Sequence, residues 1–121
     1  MIAFTSIEQS KKLAEFLPLE TADMDYIPIV NLDGEYSPSV NVWDNEHIID
    51  EGWIPSWSLA ALLDVLPNKL QIVLAINDFQ GDRKEKYCIG SVEHDKYDCF
   101  ADNPVDACYE LILKLNKLKL M

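Results

Sequence analysis

Apolar positions recur at helical spacing in three stretches, alternate at strand spacing in a fourth, and follow neither period through a long middle segment. Ile7, Ser10, Ala14 and Leu17 fall on one helix face, widened by Leu13 and Phe16. Thr5 stands ready to cap this helix, Glu8 completes a capping box, and Pro18 ends the run. Just beyond, Thr21 and Asp23 are both good N-caps for a further short turn. Pro55–Leu66 predicts a second helix, with Pro near its start, Ser56 or Ser58 as cap and Pro67 past its end. Leu59, Leu62, Leu63 and Leu66 form its stripe, and Trp57, Ala60, Ala61 and Val65 leave Asp64 as its only charge. A helix apolar all round belongs between layers or in an interface. Asn103 caps the last helix, with Pro104 at its first position and Cys108, Leu111, Ile112, Leu115 and Leu118 as its apolar face. Lys114, Lys117 and Lys119 suit the negative end of its dipole.

The alternating stretch is Leu70–Asn77, with Leu70, Ile72, Leu74 and Ile76 on one face and Gln71, Val73, Ala75 and Asn77 on the other. Lys84–Glu93 and Lys96–Ala101 read as the next strands of a meander, with a tight turn near His94-Asp95. Setting Glu93 opposite Lys96 pairs Val92 with Tyr97 and Ile89 with Phe100. Tyr87, Ile89 and Phe100 then join the Leu/Ile face. The opposite face would carry Gln71, Val73, Ala75, Cys88, Val92, Tyr97 and Cys99, apolar enough to need cover from the middle segment or from a second copy of the chain.

Between Tyr26 and Trp53, Pro28, Gly34, Pro38 and Gly52 interrupt any period. Ile27–Leu32 and Ser39–Trp43 could pair as a hairpin around Asp33-Gly34; the alternative is an ordered acidic loop. The expected fold is a single α+β domain over residues 1–121. It is a three-stranded antiparallel meander with about three helices mainly on one face, and a possible extra hairpin in the irregular 26–53 segment.

Charge changes this picture most. Between Leu13 and Asn68 the chain holds eleven carboxylates and no lysine or arginine, so the net charge of −11 sits in that stretch. All three tryptophans, Trp43, Trp53 and Trp57, lie there too. A one-signed field with aromatics set into it suggests a binding surface, and it disfavours binding to nucleic acid or an anionic membrane. With 121 residues, 49% hydrophobic and 10% aromatic, the chain can bury a core. The N-terminus has no basic region followed by an apolar one, no apolar run is long enough to span a bilayer, and the three cysteines suggest no disulfide framework. The expected location is the cytoplasm.

Candidate chemistry is sparse. Trp43 and Trp53 flank Asp44, Glu46, Asp50 and Glu51, and together these are the interaction candidates. Asp23, Asp25 and His47 have the right types for a metal or a shared water, but no spacing ties them together. Cys88, Cys99, Cys108 and His94 lack a knuckle spacing for zinc and read better as small buried hydrophobes. Cys108 also sits in the first turns of a helix, where the dipole lowers a thiol pKa while burial raises it. No phosphate-cradling loop or nucleophile elbow is present, and no cofactor is implied.

Three stretches are familiar in combination: Thr21–Met24, Pro55–Pro67 and Asn103–Leu115. In this order they resemble a group of short, uncharacterised acidic proteins from phages and mobile elements of anaerobic gut bacteria, a group with no assigned activity. The resemblance implies a small accessory protein that acts by binding other proteins. The expected function is therefore a non-enzymatic one, in which the acidic, Trp-bearing segment meets a protein with a basic surface. The alternatives are a nucleic-acid mimic that inhibits a host DNA-binding protein and, last, a metal-dependent enzyme.

Overall fold

The computed structural model describes residues 3–29, 34–40, 52–77 and 84–121. The chain is α+β and groups into two compact units, residues 4–61 and residues 62–121 with 1–3. Each has its own three-stranded antiparallel sheet. Among the described residues no helix is long and apolar enough to cross a membrane.

In the 4–61 unit, helix α1 (Ile7–Ala14) is capped by Ser6, whose side chain accepts from the Gln9 backbone while Gln9 reaches back to the Ser6 N–H. The capping box thus lies one residue later than expected, because Thr5 is taken up elsewhere. Strand β1 (Met24–Pro28) is central, with β2 (Tyr36–Val40) and β3 (Ile54–Ser56) antiparallel on either side. The expected pair is present but shifted: Met24 lies opposite Val40 and Pro28 opposite Tyr36, three residues before the strands Ile27–Leu32 and Ser39–Trp43, of which 30–32 and 41–43 lie outside the described residues. Gly34 has φ of +80°, which glycine adopts without strain.

Strand β3 corrects the expected helix start. Pro55 lies in an edge strand opposite Asp25, and the helix begins only after Ser58, as α2 (Leu59–Val65). Proline suits an edge because it has no N–H to offer a ladder; Pro38 sits likewise in β2, the other edge. Ser58 is the α2 cap, its hydroxyl accepting from the Ala61 N–H at 3.3 Å.

Beneath this sheet lies a buried polar cluster around Thr5. The Thr5 N–H donates to the Trp57 carbonyl at 2.9 Å, and the Trp57 N–H donates back to Thr5 Oγ1 at 3.1 Å. Thr5 Oγ1 also meets Ser10 Oγ at 2.7 Å and Ser56 Oγ at 3.1 Å, while the Tyr26 hydroxyl donates to the Thr5 carbonyl at 2.7 Å. Ser10 can therefore occupy the buried face of α1 without an unmet hydroxyl. Trp57 is fully buried, and its indole N–H donates to Thr21 Oγ1 at 2.9 Å.

The 62–121 unit holds the expected meander: β4 (Ile72–Ile76), β5 (Tyr87–Ser91) and β6 (Cys99–Ala101), in that order. Ile76 faces Tyr87 and Leu74 faces Ile89, so the Leu/Ile and Tyr87/Ile89 face is as expected. The β5–β6 register differs by one residue. Ile89 pairs with Cys99 and Cys88 with Phe100. Cys99 therefore joins Ile89 on the covered face, and Phe100 joins Cys88 on the other. The cause is a 3-10 turn at Asp95–Tyr97, which takes Tyr97 out of the strand and buries it.

Helix α3 (Pro104–Lys117) packs on β5 and β6 and starts as expected, with Asn103 Oδ1 accepting from the Asp106 N–H at 2.8 Å. Cys108, Leu111, Ile112 and Leu115 are fully buried, whereas Leu118 lies past the helix end and is exposed. Ile89 is fully buried while Val73 and Val92 are exposed, so the α3 side is the Leu/Ile face. On the opposite face Gly90 leaves room for Asp98: an added Cβ would lie 3.0 Å from Asp98 Cγ and 3.1 Å from its Cα, and closer still to Oδ1. Gly90→Ala is expected to destabilise the chain by about 1–3 kcal/mol in urea unfolding, because backbone must shift to admit the methyl group. An unchanged midpoint would show that Asp98 can swing clear.

Candidate functional site

Of the interaction candidates, Trp43, Asp44, Glu46, Asp50 and Glu51 lie outside the described residues, as does His47. Trp53 is described and half-buried, just before β3. Trp57, expected in the core from its place in the apolar Pro55–Leu66 stretch, is fully buried. Glu8, Glu15, Glu20 and Glu35 are exposed on the 4–61 unit; Glu15 pairs with Lys12 at 3.2 Å across one helical turn, an exposed contact of little energetic weight.

Asp23 and Asp25 have separate fates. Asp23 Oδ1 accepts from the Ser58 N–H at 2.9 Å and Oδ2 from the Ser58 hydroxyl at 2.5 Å. It thereby tethers the residue before β1 to the α2 cap and serves the fold. Asp25 is 1% exposed, and among the described residues neither carboxylate oxygen has a hydrogen-bond partner. It sits mid-strand between Ser39 and Pro55. Burial holds its carboxyl above the usual carboxylate range. The two aspartates are therefore not a matched ligand pair. Among the described residues, no three His, Cys, Asp or Glu side chains are grouped to hold a metal ion.

The cysteines are free thiols, half-buried at Cys88 and buried at Cys99 and Cys108. Burial pushes the Cys108 thiol up to about 12, so desolvation outweighs the dipole of the helix it occupies. Burial also raises Cys88, helped by the charges of Asp98 and Cys99. Burial raises Cys99 as well, although Lys114 opposes it. Alkylation of the folded chain near about pH 8 is expected at Cys88 first and at Cys108 only on unfolding. Peptide mass spectrometry over time checks this, and equal native rates would contradict it.

Among the described residues of the 62–121 unit, two clefts stand out. One, of about 550 Å³, has Lys96, Lys114 and Lys117 around Tyr97, Leu118 and Leu120; its lysines gather where the α3 carbonyls point outward. The other, of about 610 Å³, lies between the end of α2 and β4, with Leu63, Leu66, Pro67, Ile72 and Leu74 in its wall.

Sequence reasoning missed the seclusion of Asp25, which stood as one acid among eleven, and the β4 cleft, whose wall joins a helix stripe to a strand face. Charge is the feature that carries over into structure. The 4–61 unit holds eleven carboxylates against Lys11 and Lys12, a net −9, and the remainder holds ten against eight, a net −2. The chain matches no family model, no curated protein and no solved structure.

Proposed function

We propose that this chain is a small protein-binding protein whose acidic unit, residues 4–61, docks on a basic surface of another protein. The division of charge between the two units carries this reading. Acids scattered for solubility would not leave one compact unit at −9 beside another at −2. Glu8, Glu15, Glu20 and Glu35 offer accessible carboxylates, and half-buried Trp53 in the same unit offers an amphipathic edge. The proposed setting is the cytoplasm of a bacterium carrying a phage or mobile element, with the partner a protein of the host or of the element.

Such docking would weaken steeply with salt, because exposed charges are screened beyond a Debye length of about 8 Å at physiological ionic strength. The test is capture of partners from bacterial lysate on the immobilised chain at low salt, repeated with paired charge reversals. Glu20→Lys with Glu35→Lys is expected to abolish capture. Glu93→Lys with Glu110→Lys, in the other unit, is expected to preserve it. Capture that resists high salt, or that is lost only with the second pair, would overturn the proposal.

A further inference from the structure

The end of α3 is closed by backbone. Lys119 N–H donates to the Asn116 carbonyl at 3.0 Å and Leu120 N–H to the Leu115 carbonyl at 2.9 Å, the bond pair of a Schellman turn. Lys119 holds the left-handed position of that turn, at φ +61°, where glycine is the usual residue. The chain thus folds back on the helix end. Leu118 and Leu120 come to line the cleft of about 550 Å³ together with Tyr97. Small-molecule sites usually span about 300–1,000 Å³. Leu118 is 52% exposed there, apolar surface that a ligand would cover.

Three lysines share the rim of this cleft, and two of them are held in place by contacts that leave their charge intact. Lys96 Nζ lies 5.1 Å from the centroid of the Tyr97 ring, and Lys114 donates to the Asp98 carbonyl at 3.3 Å. Lys117 follows Lys114 by one turn of α3, on the same side of the helix. Among the described residues none of the three is ion-paired, although Asp98 is near enough to feel the Lys114 charge. Between Leu111 and Met121 the sequence carries three lysines and no acidic side chain, in a chain of net −11.

We propose that this cleft binds a small monoanionic amphiphile, a carboxylate on an apolar chain. Its head lies among the three ammonium groups and its chain lies against Tyr97, Leu118 and Leu120. The balance of charge selects that occupant. The lysines attract an anion locally, within a Debye length of about 8 Å, while the whole chain repels it in proportion to its charge. A single carboxylate gains the attraction and meets the least repulsion. A nucleic acid, an anionic membrane or a second copy of the chain meets far more. The apolar floor completes the choice, because Leu118 and Leu120 offer nothing to a bare inorganic anion. The site lies wholly in the 62–121 unit, so it stands or falls apart from the docking of residues 4–61.

Titration of the isotopically labelled chain with decanoate, kept below micelle formation, tests this through amide shifts. Decanol supplies the chain without the charge, and acetate the charge without the chain. The expected result is saturable shifts centred on Tyr97, Leu118 and Leu120, with decanoate bound about tenfold or more tighter than either comparator. The variants are Lys96→Glu with Lys117→Glu, and Leu118→Gln; all three residues are exposed, so the circular dichroism spectrum should be retained. The lysine pair should weaken decanoate about tenfold or more and leave decanol unchanged, whereas Leu118→Gln should weaken both. Absence of saturation, equal affinity for decanol and decanoate, indifference to the lysine pair, or shifts centred on Val73 and Val92 would overturn the proposal. A glutamate-rich peptide that displaces decanoate at lower concentration would also overturn it, and would assign the lysines to an acidic protein.

Discussion

Asp25→Asn is expected to raise the stability of the chain near neutral pH, because the amide fills the same buried place without the cost of ionising there. The side chain is 1% exposed, both its oxygens lack partners among the described residues, and burial raises its pKa above 3.8. The effect depends on pH with a definite sign. Below the unfolded-state pKa the acid is protonated in both states and imposes no ionisation cost. As pH rises towards the folded-state pKa, the unfolded chain releases its proton while the folded chain holds it, and wild-type stability falls. Above the folded-state pKa the loss is complete and constant. The advantage of the asparagine variant should therefore grow with pH from about 4 upward and then level off. Urea unfolding of both proteins between about pH 5 and pH 8 checks this. A variant less stable than wild type, or a difference that shrinks with pH, would mean that the carboxylate has a favourable partner.

Trp57→Ala should have the largest effect of any single substitution, a loss of about 3–5 kcal/mol. The indole is fully buried and donates to Thr21 Oγ1 at 2.9 Å, so truncation leaves a cavity and removes that bond, although the Thr21 hydroxyl keeps its own bond to the Pro18 carbonyl. That loss approaches the whole stability of many small domains, and the 4–61 unit is expected to lose its fold. Trp57→Phe keeps most of the buried volume and should cost markedly less. Far-ultraviolet circular dichroism through a urea titration reads both; a loss under about 1 kcal/mol for the alanine variant would show that the site collapses around the gap.

Legibility followed the range of the interactions. The start of α3 is local, carried by Asn103, Pro104 and Asp106, and it was readable residue by residue. The Leu/Ile face of β4 was readable because strand periodicity is strict and its neighbours Tyr87 and Ile89 repeat it. The β5–β6 register was not, because it turns on whether residues 95–97 extend a strand or coil into a 3-10 turn, and burial of Tyr97 decides that. Strand β3 was hidden for a related reason. Ile54-Pro55-Ser56 is too short to show a period, and proline before a leucine-rich run reads as a helix start. Only the pairing with Met24–Tyr26 makes it a strand.

The cap of α1, Ser6 where Thr5 was expected, shows the same limit. Both residue types cap well, but Thr5 is claimed by Ser56 and Trp57, more than fifty positions away in the chain. The candidate site was legible as charge and illegible as geometry. Carboxylates show in composition whether they end up solvated like Glu20, engaged like Asp23 or secluded like Asp25.

The most direct test of the acidic unit as a docking surface is a titration of isotopically labelled chain with an arginine-rich peptide, followed by amide and indole chemical shifts at about 50 mM and about 300 mM salt. The expected result is a set of shifts confined to residues 4–61, including Glu20, Glu35 and the Trp53 indole, that collapses at the higher salt. Shifts spread equally over Glu93 and Glu110, or an affinity unchanged by salt, would contradict it.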